Sequence, residues 1–187
     1  METQKRTVFY LLLMGLLAVG CFLISSAAPA EDTPPGSSQE INQLLADVKT
    51  EAVALKQDCD EIALWARNSQ MSWSSHGEKL TLISEHINRA GQLLKQLQDA
   101  RDTASPWQQQ AIDSIYPLLK QLADNTEVMI EHLRDNQNKT HFSPYTDYAK
   151  AGYELARDLA ALVSDYVEYG NLEVEFHRLQ DKLDSRT

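Results

Sequence analysis

From residue 41 onward, apolar side chains recur at steps of three and four. In the first stretch they are Ile41, Leu45, Val48, Ala52, Leu55, Cys59, Ile62 and Ala66. This alternation draws one stripe along a long helix that packs on others at a shallow angle. Leu80, Ile83, Ile87, Ala90, Leu94 and Leu97 repeat it, and Ile112, Ile115, Leu119, Leu122, Thr126, Met129 and Leu133 repeat it again. A fourth seam reads Ala149, Gly152, Leu155, Leu159, Leu162, Tyr166 and Tyr169, and after Gly170-Asn171 the period resumes with Leu172, Phe176, Leu179 and Leu183. No segment of strand length alternates with period two. The pattern predicts an all-α protein.

Helix boundaries follow from local chemistry. Ser37 with Glu40 has the spacing of a capping box, as does Ser75 with Glu78, which places the first connection within residues 71–77. Ser105-Pro106 and Ser143-Pro144 each read as an N-cap followed by proline at the first helical position. Pro117 falls inside the third helix, removes a backbone donor there and predicts a kink. The first three helices each span about 30 residues, or about 45 Å at 1.5 Å per residue. Matched lengths with short connections predict an up-down-up-down four-helix bundle over residues 39–187. Leu55 and Leu94 lie on the seams, whereas Glu51 and Gln92 lie off them, so substitutions at the last two should be nearly neutral.

The amino-terminal end departs from this pattern. Lys5 and Arg6 precede an apolar run over residues 8–24, then small residues and Ala28-Pro29-Ala30. A basic start, an apolar middle and an A-x-A-like site form an export signal. Three forms are open: cleavage after Ala30, an uncleaved anchor that holds the body outside through residues 8–24, and a lipoprotein modified at Cys21. All three predict an extracytoplasmic body, either periplasmic or secreted. Residues 31–38, EDTPPGSS, read as a flexible linker. Cleavage would leave Cys59 as a lone thiol on the apolar face of the first helix, where a cysteine is a small core residue.

The formal charge of −10, with no basic stripe to offset it, argues against nucleic acid as a partner. Catalytic and cofactor motifs of helical proteins are missing. No Glu is followed three residues later by His, as a di-iron bundle needs, and there is no C-x-x-C-H, H-E-x-x-H, P-loop or G-x-S-x-G. No such motif in the sequence points to an enzyme or a resident cofactor.

Two constellations remain as candidate sites. The bundle topology brings Met71, His76, His132 and His141 to one end, together with Trp73, Phe142, Tyr145 and Tyr148. Imidazole and thioether ligands there would suit copper, and imidazole alone zinc or haem. Histidines also collect at wet helix ends without binding anything. The second constellation is the amphipathic extension over residues 172–184. A continuous fourth helix from 144 to 184 would overrun its companions and expose Leu172, Phe176, Leu179 and Leu183 as an association surface, for a protein partner or a second copy. If Gly170-Asn171 instead ends the helix, the tail folds back as core. The leading expectation is a structural, adaptor or sensor-like module that acts by binding, and the alternative is a small metal or haem carrier.

Overall fold

The computed structural model describes residues 38–186. The expected export segment, nearly all of the linker, Ser37 and the final residue lie outside the described residues. Among the described residues four helices carry the fold: α1 (Ser38–Trp65), α2 (Trp73–Asp99), α3 (Pro106–Asp135) and α4 (Tyr145–Asp184), with a 3-10 turn at Arg101–Thr103 between α2 and α3. Each helix packs against its neighbours in sequence, and α4 closes the square by packing on α1. Among the described residues there is no strand, and no helix is long and apolar enough to cross a membrane.

The first three seams are the core. Ile41, Leu45, Val48, Ala52 and Leu55 of α1, Leu80, Ile83 and Leu97 of α2, and Ile112, Ile115 and Leu122 of α3 are all buried. Each large side chain of this kind, removed from water, contributes roughly 1.5–3 kcal/mol. α3 starts as its sequence predicts. Ser105 is the N-cap, Pro106 opens the helix, and the Gln108 side chain accepts a hydrogen bond from the Ser105 N–H at 2.9 Å. The amide of Gln108 also reaches across the bundle, donating to the Ser38 carbonyl (3.0 Å) and to Asn42 Oδ1 (2.8 Å). The starts of α1 and α3 are thereby tied at one end, as an up-down-up-down order requires. α3 runs through Pro117 without interruption.

Three local expectations are corrected, and one open alternative is resolved. α2 is capped by Ser72, whose hydroxyl accepts from the Ser75 N–H at 3.1 Å, so it begins at Trp73 and the connection is residues 66–72. Ser72, Ser74 and Ser75 all offer capping oxygens, and the earliest one wins. Ser143 is not an N-cap. Its hydroxyl donates to the Asp147 carboxylate at 2.6 Å, and α4 begins at Tyr145, after Pro144. Glu51 is not a free surface residue, because it accepts from Arg89 Nε at 3.1 and 3.2 Å and lies 2.6 Å from His86 Nδ1, linking α1 to α2. Of the two alternatives at Gly170-Asn171, the continuous helix is the one observed: α4 runs unbroken to Asp184.

α4 is also turned relative to its predicted seam. The buried line is Tyr145, Ala149, Gly152, Ala156, Leu159, Ala160, Val163 and Gly170. Leu155, Leu162 and Tyr166 flank it half-buried, and Tyr169 is 53% exposed. Five of these eight residues are alanine or glycine, and small side chains at a helix contact favour a short interaxial distance. A Cβ on Gly152 would lie 2.9 Å from Asn125 Nδ2, and Asn125 uses that nitrogen to donate to the Tyr148 carbonyl at 3.0 Å. The glycine therefore makes room for a polar bridge between α3 and α4.

Candidate functional site

At one end of the bundle the start of α2, the end of α3 and the start of α4 meet around Tyr145. This side chain is fully buried, and its hydroxyl lies 3.0 Å from His76 Nδ1. His76 is fully buried too, with its ring edge-on to Tyr145 (5.3 Å, 77°) and to Trp65 (6.1 Å, 83°). The His132 ring lies 5.8 Å from that of Tyr145 and 6.2 Å from that of Tyr148. The two expected histidines are thus brought together with one tyrosine between them. The Nε2 atoms of both imidazoles are buried without a hydrogen-bond partner.

The other two candidates stand apart from this contact. The His141 ring lies 4.1 Å from that of the exposed Phe142, tilted at 41°, and Met71 is half-buried in the turn before α2. Among the described residues no group of three or more His, Cys, Asp or Glu side chains is placed to hold a metal ion. What the geometry does supply is a buried aromatic and imidazole junction. Burial raises the Tyr145 hydroxyl well above the ordinary tyrosine range and lowers the His76 imidazole below its usual 6.5. Both groups are held neutral.

The His76 shift has a pH consequence. Above about pH 6.5 the imidazole is neutral in both the folded and the unfolded chain. Below it the unfolded chain takes up a proton that the folded site resists. Stability should therefore fall as pH drops from about 6.5 through the depressed folded value, by at most about 1.4 kcal/mol per pH unit. Urea unfolding at pH 7.5 and pH 5 should show less acid sensitivity in His76→Gln than in the parent chain. Equal sensitivity would mean that His76 titrates normally in the folded protein.

Cys59 is a core residue, 2% exposed. Burial first and the neighbouring Asp58 second push its thiol up to about 12, so it is not poised to react.

The opposite end holds the departure of α4 from the bundle. Trp107, at the start of α3, packs edge-on to Tyr169 at 5.2 Å and donates its indole N–H to Glu173 at 2.7 Å. Its ring lies so close to the α4 backbone that a Cβ on Gly170 would sit 2.8 Å from Trp107 Cη2. Glycine is present there because an indole occupies the space a side chain would need. Beyond this clamp α4 runs on as a projecting helix. Leu172 (63% exposed), Phe176 (63%), Leu179 (44%) and Leu183 (64%) are all in water.

The apolar face changes sides at the clamp. At 3.6 residues per turn, the exposed stripe is centred roughly 190° round the helix from the line through Ala156, Val163 and Gly170 that faces the bundle. Past Val174, the positions that continue the bundle-facing line are His177, Arg178 and Asp181, all exposed. The projecting segment is therefore not an unfinished piece of the same core.

The chain matches no protein-family model, no curated protein and no solved structure at a significant level. What fold and site define is a class: an antiparallel four-helix bundle with one overlong helix that carries a second apolar seam.

Proposed function

We propose that the protein is a non-enzymatic, extracytoplasmic helical bundle that acts by binding, with the projecting end of α4 as its docking element. The observation that carries this reading is the exposed line of Leu172, Phe176, Leu179 and Leu183, on the side of α4 turned away from the bundle core. A water-exposed apolar stripe costs free energy unless something covers it, and an amphipathic helix with 4-3-4 spacing is a form that partners recognise. The extracytoplasmic placement rests on the basic, apolar and small-residue order of residues 1–30. The bundle supplies a rigid base, and the Trp107 clamp on Gly170 and Glu173 sets the direction in which the helix leaves it.

Deleting residues 172–187 tests this. Most of the removed side chains touch no core, so the melting temperature should change by no more than a few degrees, about what 1 kcal/mol produces. Association through the tail should be lost. A large fall in the melting temperature of a chain that was always monomeric would show the segment to be core and would end the proposal.

A further inference from the structure

We infer that the occupant of this stripe is a second copy of the same segment, running antiparallel to the first. The inference rests on the reading of the tail as a docking helix and adds the identity and direction of what docks. Leu172, Phe176, Leu179 and Leu183 are separated by four, three and four residues, the spacing of alternating seam positions in a two-helix coiled coil. In an antiparallel pair Leu172 faces Leu183 of the partner subunit, and Phe176 faces Leu179 of the partner subunit. All four apolar residues of each copy are then covered at once.

The flanking charges select the direction. In this register Glu175 lies across from Lys182 of the partner subunit, and two-fold symmetry makes the pair twice. Glu173 lies across from Gln180 of the partner subunit, a neutral hydrogen-bonding partner for a carboxylate. The parallel arrangement sets Glu168 against Glu173 of the partner subunit. It also brings the two bundles side by side along the stripe's own face, which farther up α4 carries the exposed Asp158 and Asp165. Each would meet its own copy, and like charges opposed in this way are a device against wrong pairing.

Length fits as well. The projecting residues 171–184 extend about 21 Å at 1.5 Å per residue. In antiparallel register the level of Gly170 in one chain matches that of residue 185 in the other, so each tail ends where the other bundle begins. The polar side of residues 172–186 bears four acidic residues (Glu173, Glu175, Asp181, Asp184) and three basic ones (Arg178, Lys182, Arg186). That balance gives no attraction to an anionic bilayer, whose helices carry an excess of Lys and Arg.

Sedimentation equilibrium of the full chain, with charge-swapped variants, decides the matter. The parent chain should show twice the monomer mass at micromolar concentration. Lys182→Glu and Glu175→Lys should each weaken the dimer by about tenfold, because each replaces two attractive pairs with two repulsive ones. Carrying both substitutions in one chain should restore it. A second measurement reads direction. Leu172→Cys alone should give no cross-linked dimer under oxidation, whereas Leu172→Cys together with Leu183→Cys should. Failure of the double swap to restore pairing, or cross-linking through Leu172→Cys alone, would overturn the antiparallel arrangement. A monomeric parent chain would overturn self-pairing and leave the docking role to a different partner. A dimer that survives Phe176→Asp unchanged would overturn both self-pairing through this stripe and the docking role itself.

Discussion

Tyr145→Ala should destabilise the bundle by about 3–5 kcal/mol, the cost of emptying a large aromatic site in a packed core. Tyr145 is the largest side chain buried at its end of the molecule, and its ring is in contact with those of His76 and His132. Its loss opens a space bordered by two imidazoles that already have an unpartnered Nε2. Tyr145→Phe keeps the ring and removes only the hydroxyl, leaving His76 without its Nδ1 partner at 3.0 Å. That change should cost about 1–3 kcal/mol, the penalty for stranding a buried polar atom. Urea denaturation of both variants checks the order. A Phe variant as damaging as the Ala variant would mean that the hydrogen bond, and not ring packing, holds this end together. An Ala variant costing under about 1 kcal/mol would mean that the junction is not packed as described.

A second large effect is expected at Leu55, fully buried in the middle of α1. Leu55→Ala should cost about 2–5 kcal/mol. The same substitution at Leu172, which is 63% exposed, should cost no more than about 0.5 kcal/mol in protein dilute enough to be monomeric. The comparison holds the chemistry fixed and varies only the surroundings. Equal costs at the two positions would place Leu172 inside a core. A Leu55→Ala cost near zero would place α1 in the wrong phase.

The same contrast explains what could be read in the sequence and what could not. The seams of α1, α2 and α3 were legible because their inner positions are the large apolar residues, so hydrophobic period and burial coincide. In α4 they part company. Gly152, Ala156, Ala160 and Gly170 share the inner line with Leu159 and Val163, and Leu155 and Leu162 lie partly buried at its shoulders. Reading the largest apolar residues as core therefore turned α4 by part of a turn. Gly170 carried the signal of a helix stop, yet its purpose is to admit Trp107, a contact between residues far apart in sequence. His76 and His132 could be assigned to one end from topology alone. Tyr145 fell at the same end by the same argument, but its contact with both rings was not legible, because the Ser143-Pro144 pair suggested a start one residue early and the capping serine of α2 lay three residues before the one expected.

Within the bundle, the distribution of polar ties gives α4 two different characters. Asn125 to the Tyr148 carbonyl and Tyr145 to His76 fix its first turns. Trp107 to Glu173 ties it to the start of α3, and beyond that tie Arg178 pairs with Glu175 and the Ser185 hydroxyl donates to the Lys182 carbonyl, both within the same helix. An isolated helical stretch this short is marginal in water, so its order should depend on what covers it.

Amide hydrogen exchange along α4, measured at two protein concentrations, tests this most directly. Strong, concentration-independent protection is expected through the turns that pack on the bundle. Over residues 175–184 protection should be weak in dilute protein and rise markedly at high concentration, with the rise confined to that segment. Uniform protection along the whole of α4, unchanged by dilution, would contradict this and show that the tail is an ordinary part of the core.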